Sequence, residues 1–262
     1  MKNRKTKTEL PGNKPLSYRD SHKAAEKGRA YQECYQSERW RRFLWDRERL
    51  LLSRFLDEFL SGQEIHLLDF ACGTGRVVGY LETRVASSVG VDVSRSMLDV
   101  ARGELKHTEL IEADLTQENL LLGRRFNLIT AFRFFLNAEP ELRLAALRAI
   151  VPLLADDGYL VINNHRNLTS PMVFATMLYN RLRRCQGNFM FLSHMRNLVE
   201  DAGLEIVRVY PVGVLSIPRL TVPDSWNHRL DDVVLRYRFL SFLCESPIVV
   251  CRRRSAGDRG RM

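Results

Sequence analysis

Leu67-Leu68-Asp69-Phe70-Ala71-Cys72-Gly73-Thr74-Gly75-Arg76 passes from a short apolar run into a glycine turn. The run starts at Ile65 and is too short for a helix of its own, so residues 65–70 are predicted as a buried strand. Gly73 and Gly75 let the backbone turn sharply and let a ligand approach main-chain atoms closely. A helix is predicted over 75–83. In an open parallel sheet, ligands bind beyond the carboxyl ends of the strands, where the strand order reverses. This first strand-to-helix turn is such a place.

Outward from the turn, strands and helices alternate. Strands are predicted over 88–93, 108–113, 126–132, 159–163, 204–210 and 247–252, and helices over 96–105, 140–154 and 193–202. Pro140 opens its helix, where a missing N–H costs nothing, and Gly203 closes the helix before the sixth strand. Upstream, Trp40, Phe43, Leu44, Leu51, Phe55, Leu56, Phe59 and Leu60 fall at helical spacing, and Gly62 follows as a stop signal. The pattern predicts an α/β fold with a mostly parallel sheet and helices on both faces. Residues 31–252 form one domain with an N-terminal helical cap at 31–62. Two long connections, 166–192 and 213–246, are rich in aromatic and apolar residues with Arg and Pro, as substrate-side inserts often are.

Composition narrows the setting. The chain has 262 residues and a net charge of +9, which at first points to nucleic acid. Residues 1–30, however, hold nine Lys/Arg against three Asp/Glu, and 252–262 hold five Arg against one Asp. The part between them is close to neutral, so the excess belongs to the ends: a basic, flexible segment at 1–30 and a basic tail at 253–262. The five cysteines lie far apart with no CxxC pair, which argues against a disulfide framework and against a zinc site. No run reaches the roughly 18 apolar residues of a membrane span, and the polar start lacks a secretory signal. A reducing, cytoplasmic setting is the expectation.

A glycine turn alone does not name a cofactor. The dinucleotide fingerprint GxGxxG, aligned on Gly73 and Gly75, requires a small residue at Val78, and it has no role for Asp69. The stretch instead resembles the first motif, D-x-x-C/G-G-x-G, of the class I S-adenosylmethionine-dependent methyltransferases. Val89-Gly90-Val91-Asp92 then ends the second strand with a carboxylate 17 positions after Gly75, and a carboxylate accepts hydrogen bonds from two adjacent ribose hydroxyls. Glu112-Ala113-Asp114-Leu115 ends the third strand. Phe126-Asn127-Leu128-Ile129-Thr130-Ala131-Phe132 stands where the family has its fourth strand, with Asn127 in place of a common Asp.

The resemblance implies a Rossmann-like seven-stranded sheet whose last strand inserts antiparallel, and S-adenosyl-L-methionine as cofactor. It places Asp69, Ala71, Gly73, Thr74 and Gly75 around the methionine part. Asp92 and Val93 fall at the ribose, Met97 against the adenine, and Ala113, Asp114 and Leu115 at the base edge. Phe132, at the end of the fourth strand, completes the cofactor-binding set. The match covers residues 40–165 well and the rest more loosely.

The acceptor is read from less. A general base is useful when the methyl acceptor is a hydroxyl, and it must sit at the carboxyl ends of strands four and five. His165 follows the fifth strand and is the first candidate. His194, at a predicted helix start after the capping residue Ser193, is the second, and His228 in the 213–246 insert has no assigned place. Asn163, Asn164 and His165 have no second carboxylate nearby, so no metal site is expected. Arg133, directly after the fourth strand, is placed to pair with the methionine carboxylate or with an acidic acceptor. Tyr31, Tyr35 and Trp40 belong to a helix over the cofactor or packed on the sheet. The N/D-P-P-Y/F signature of adenine- and glutamine-methylating members is replaced by Ala131-Phe132-Arg133-Phe134. The compact, near-neutral chain resembles the small-molecule and glycan enzymes, so O-methylation of a sugar or other small metabolite is expected, and nucleic acid is disfavoured as a partner. Methylation at N or C, RNA methylation through the basic tails, and a non-catalytic cofactor-binding partner are the alternatives. The oligomeric state is not read from the sequence.

Overall fold

The computed structural model describes residues 18–19, 27–183, 187–214 and 224–254. Two helices lead in: α1 (Lys27–Ser37) and α2 (Arg39–Phe59), separated at Glu38, whose backbone is extended. There follow β1 (His66–Phe70), α3 (Arg76–Leu81), β2 (Ser87–Asp92), α4 (Arg95–Glu104), β3 (Thr108–Glu112), β4 (Phe126–Ala131) and α5 (Pro140–Ile150). β5 (Leu154–Asn163), α6 (Pro171–Leu182), α7 (Leu192–Asp201), β6 (Leu204–Tyr210), α8 (Asp224–Arg236) and β7 (Ile248–Arg253) complete the chain.

The seven strands form one sheet in the order β3-β2-β1-β4-β5-β7-β6. The first five are parallel, and β7 runs antiparallel between β5 and β6. This is the expected Rossmann-like sheet with its antiparallel last strand. Successive strand residues point to opposite faces, so Leu68 and Phe70 join a core with α5 and α7, while Leu67 joins a second core with α2 and α3. Burial on both faces explains why β1 reads as a continuous apolar run rather than an alternation. The order reverses between β1 and β4, and the carboxyl ends of those two strands frame the site.

Several boundaries differ from the expectation. The helix predicted over 140–154 stops at Ile150, because Pro152 cannot continue it. β5 begins at Leu154 instead of residue 159: Ala155-Asp156-Asp157-Gly158 looks like a turn, yet Leu154 already pairs with Phe126. The inserts are structured. The 166–192 segment holds α6, and 213–246 holds α8 followed by a 3-10 turn at Arg238–Leu243. Arg253, assigned to the basic tail, ends β7 and donates through Nη2 to Val151 O (2.6 Å) and Leu154 O (2.9 Å).

The segment expected to be flexible also contributes ordered groups. Residues 27–30 open α1, and Tyr18 and Arg19 dock on the domain: the Tyr18 amide donates to Glu139 Oε1 at 2.7 Å. The other residues of 1–30 and of the tail lie outside the described residues. Asn127, where the family commonly has Asp, fastens the start of β1: its Oδ1 accepts from the His66 amide at 2.7 Å and its Nδ2 donates to Glu64 O at 2.8 Å. Among the described residues no helix is long and apolar enough to cross a membrane.

Candidate functional site

The turn after β1 adopts a conformation that favours glycine at three positions in five. Ala71, Gly73 and Gly75 have φ of +56°, +58° and +80°. A side chain on Gly75 would meet Leu105 at 2.8 Å, so this glycine keeps α3 close to α4. A side chain on Gly73 would meet nothing within 4 Å, and Gly73 borders an open cleft. Arg133, just past β4, is the second non-glycine residue in the left-handed region, with φ +61°. Backbone strain of this kind costs on the order of 1–3 kcal/mol and persists where neighbours fix it. Here the Arg133 amide donates to Asn163 Oδ1 at 2.7 Å, and its carbonyl accepts from Asn137 Nδ2 at 2.8 Å.

A cleft of about 370 Å³ lies between these two strained turns. Asp69, Ala71, Gly73, Thr74, Asp92, Met97 and Phe132 line it, as do His165, Tyr31 and Trp40. A narrower slot of about 40 Å³ adjoins it, sharing Tyr18, Ala71 and Asp92 and adding Val93, Ala113, Asp114 and Leu115. The structure therefore gathers the residues selected for the cofactor around two adjoining hollows, except Gly75, which borders a separate hollow.

The three strand-end carboxylates are built differently. Asp69 is buried, accepting from Thr130 Oγ1 (2.7 Å) and the Val78 amide (3.3 Å), so it ties β1 to β4 and α3. Burial pushes its carboxyl up to about 7, and Asp92 adds to the rise. Asp92 accepts from the Gly73 amide (2.8 Å) and the Ser94 amide (2.9 Å), which shapes the turn while its carboxylate lines the cleft. Asp114 accepts from the Thr116 amide and hydroxyl through one oxygen, and pairs with Arg19 Nε at 2.7 Å through the other. Tyr18 stands edge-on to Phe134, ring centroids 5.4 Å apart, and walls both hollows.

At the opposite end the cleft is lined by Arg41 from α2, Arg76 from the start of α3, Arg133 and Arg166. Glu48 lies beneath them, fully buried on the apolar stripe of α2. It pairs with Arg76 Nη1 at 2.9 Å and Arg133 Nη2 at 3.4 Å, and accepts from Asn163 Nδ2 at 3.2 Å. Against the cost of burial, Tyr35 and Glu48 hold both guanidiniums above their ordinary pKa. His165 is 9% exposed, with Nε2 3.5 Å from Asn137 Nδ2 and Nδ1 without a hydrogen-bond partner among the described residues. Burial first, then Arg133, Arg166, Arg41 and Arg76, push its pKa well below the usual value. The imidazole is therefore neutral at pH 7.

Other candidates are placed elsewhere. His194 is exposed on α7, edge-on to Phe191, and borders neither hollow. His228 packs on Phe43 with ring centroids 5.0 Å apart. Asn164 Nδ2 donates to Met190 O at 3.0 Å and holds the insert. No group of three His, Cys, Asp or Glu suited to a metal ion occurs among the described residues. Sequence reading missed Glu48, Arg41, Arg166, Asn137 and Tyr18. Glu48 had a signal: it stands four residues from both Leu44 and Leu52, a charge on an apolar stripe.

A model of the methyltransferase domain family matches residues 40–209. Among solved structures, the magnesium protoporphyrin IX methyltransferase of Synechocystis PCC 6803 with bound SAM superposes with a TM-score of 0.59 at 13% identity, covering 93% of this chain and 100% of that one. An N-methyltransferase from Bradyrhizobium japonicum WM9, in complex with S-adenosyl-L-homocysteine, gives 0.58 at 15% identity, covering 90% and 99%. A SAM-dependent methyltransferase from Archaeoglobus fulgidus gives 0.58 at 15%, covering 86% and 98%. No curated protein matches the sequence.

Proposed function

Since the chain belongs to the methyltransferase domain family, we propose that it transfers the methyl group of S-adenosyl-L-methionine to a hydroxyl of a small metabolite, a sugar or a glycan unit. The observation that carries the cofactor half of this reading is the convergence of Asp69, Asp92 and Asp114, from three successive parallel strand ends, on two adjoining hollows. The donor set suits the cofactor. The open side of Gly73 admits its backbone, the Asp92 carboxylate suits a ribose diol, and the apolar slot of Val93, Ala113 and Leu115 suits a flat base.

The bound cofactor supplies a methyl group already activated on a sulfonium. The protein's task is to align the acceptor and exclude water. Asp92 fixes the turn through the Gly73 and Ser94 amides and so pre-forms the ribose side. Tyr18 and Phe134 close the slot, while Tyr31 and Trp40 of the helical cap wall the cleft from the N-terminal side. We assign the hydroxyl proton to His165, an assignment supported by its neutral imidazole lining the cleft. Asn137 and Asn163 orient this end through the Arg133 backbone.

Calorimetry with S-adenosylmethionine and S-adenosylhomocysteine tests the first half, with micromolar binding expected. Absence of binding by the intact protein would defeat it. A mass-spectrometric screen of sugars, phenols, amines and RNA tests the second half, through a gain of one methylene unit on a hydroxyl acceptor. A product methylated only at nitrogen or on RNA would replace the O-methylation reading while keeping the cofactor.

A further inference from the structure

We propose that the acceptor carries an anionic group, a carboxylate or a phosphate, which the arginine end of the cleft seats between Arg41, Arg133 and Arg166 beside His165. The proposal rests on the methyltransferase reading and narrows its substrate class.

Four guanidiniums from four separate elements line one end of one cleft. Three of them crowd a single ring: the Arg76, Arg41 and Arg133 guanidinium carbons lie 4.7, 5.3 and 5.4 Å from the Tyr35 centroid. Aromatic faces attract cations, but three cations on one ring also repel one another. The acids at this end do not balance them. Arg76 and Arg133 share the single carboxylate of Glu48, Arg41 pairs with Glu38 at 2.6 Å on the surface, and Glu245 lines the cleft near Arg133 and Arg166. Four cations face three carboxylates.

The methyl donor does not answer this excess. Its sulfonium and ammonium outweigh its one carboxylate, and Asp69 and Asp92 on the donor side of the same cleft face that charge, so the arginines are left without a counter-ion from the donor. An anion on the acceptor restores the balance, and an arginine fork matches the geometry of carboxylate or phosphate oxygens. Arg166 is exposed and Arg41 partly so, open to an incoming anion, whereas Arg133 is more enclosed.

His165 gains a consistent role. The charged groups around it are Arg41 from α2, Arg76 from α3, Arg133 after β4 and Arg166 beside it, and each disfavours the imidazolium. The acids near these arginines are Glu48, paired with Arg76 and Arg133, and Glu245, which lines the same cleft and favours the charge of Arg133 and Arg166. An anion bound among the arginines cancels part of their field and makes His165 a stronger base only when the acceptor is present.

The test uses the full chain saturated with S-adenosylhomocysteine, and three probes: benzoate, inorganic phosphate and neutral benzamide. Calorimetry is expected to show benzoate or phosphate binding at least tenfold more tightly than benzamide. Arg41→Gln and Arg166→Gln should each weaken that binding about tenfold and leave S-adenosylhomocysteine affinity within twofold. NMR of ring-labelled histidine should show the His165 titration midpoint rising when the anion binds. Benzoate alone marks the acceptor as a carboxylate, phosphate alone as a phosphoryl compound, and binding of both supports a general anion seat. The proposal is overturned if neither anion exceeds benzamide, or if both variants bind the anion as the parent does. A chain that fails to bind S-adenosylhomocysteine defeats the underlying reading first, a result separable from anion failure on a loaded protein.

Discussion

The two ends of the cleft are built on opposite plans. The end formed by β1, β2 and β3 is acidic, and its carboxylates belong to consecutive strand ends that anchor their own turn or the neighbouring one: Asp92 holds Ser94 and, in the turn after β1, Gly73, and Asp114 holds Thr116. The other end is basic and assembled from residues distant in sequence, with Glu48 of α2 joined to Arg76, Arg133 and Asn163 across the fold. A strand-end turn is local and survives changes elsewhere. A charge network spanning α2, α3, β4 and β5 depends on all of them. The difference teaches that the acidic end is a motif, whereas the basic end is a tertiary construction that can diverge by exchanging single residues.

The largest expected effect falls on the basic end. Glu48→Ala leaves two largely enclosed guanidiniums without their shared, fully buried carboxylate, and breaking such a pair costs up to about 3–5 kcal/mol. Urea unfolding should show that loss, and Glu48→Gln, which keeps an acceptor for the same donors, should recover part of it. A loss below about 1 kcal/mol would mean that the network does not hold the basic end together.

The acidic end has its own signature in pH. The Asp69 carboxyl ionises near 3.9 when unfolded and at about 7 when folded, because burial disfavours its charge. A raised folded value means that the protonated form contributes stability in full below about pH 4, and the contribution is lost as pH rises toward 7. Over three pKa units the loss is roughly 4 kcal/mol at most. Relative to Asp69→Asn, whose amide can serve both Thr130 and Val78, the parent should therefore lose stability between about pH 4 and 7 in chemical denaturation. A constant difference across that range would place the Asp69 charge in a solvated setting.

Asp92→Ala comes next. Removing a carboxylate that receives two amides and lines the cleft should weaken S-adenosylhomocysteine binding by about 2 kcal/mol, roughly 30-fold, as read by calorimetry. The arginine end should still bind the anion probe when the cofactor analogue is raised to saturation. If Asp92→Ala abolishes anion binding as well, the two ends are not independent.

How much of this could be read from the sequence follows the same division. β1, β2, β3 and their terminal residues were legible because strand, turn and carboxylate lie within a few positions, as in Asp69 to Gly75 and Val91 to Ser94. The seven strands and the antiparallel insertion of β7 followed from the alternation and the family resemblance. The basic end was legible only as isolated residues. Arg133 and His165 stood out at strand ends, but nothing in their neighbourhoods shows that Arg41, 92 positions before Arg133, faces the same space. Tyr18 and Arg19 lie in a stretch whose composition reads as disordered. An ion pair to Asp114 and an edge-on ring contact are tertiary facts that composition does not carry.

The smallest effect asks whether that N-terminal arm belongs to the acidic end. The Tyr18 ring borders both hollows and packs on Phe134, and Arg19 holds one oxygen of Asp114. If the ring is a wall of the base slot, Tyr18→Ala removes apolar contact and an aromatic pair worth about 1 kcal/mol. S-adenosylhomocysteine affinity should then fall about fivefold, with the anion affinity of the loaded protein unchanged. Arg19→Ala should have a smaller effect, because the pair is partly exposed and Thr116 still engages Asp114. The opposite sign carries equal information. Tighter binding by Tyr18→Ala would mean that the arm occupies space the base needs and must withdraw before the donor enters. The acidic end would then be gated by a segment outside the strand-end motif, and the contrast with the assembled basic end would narrow.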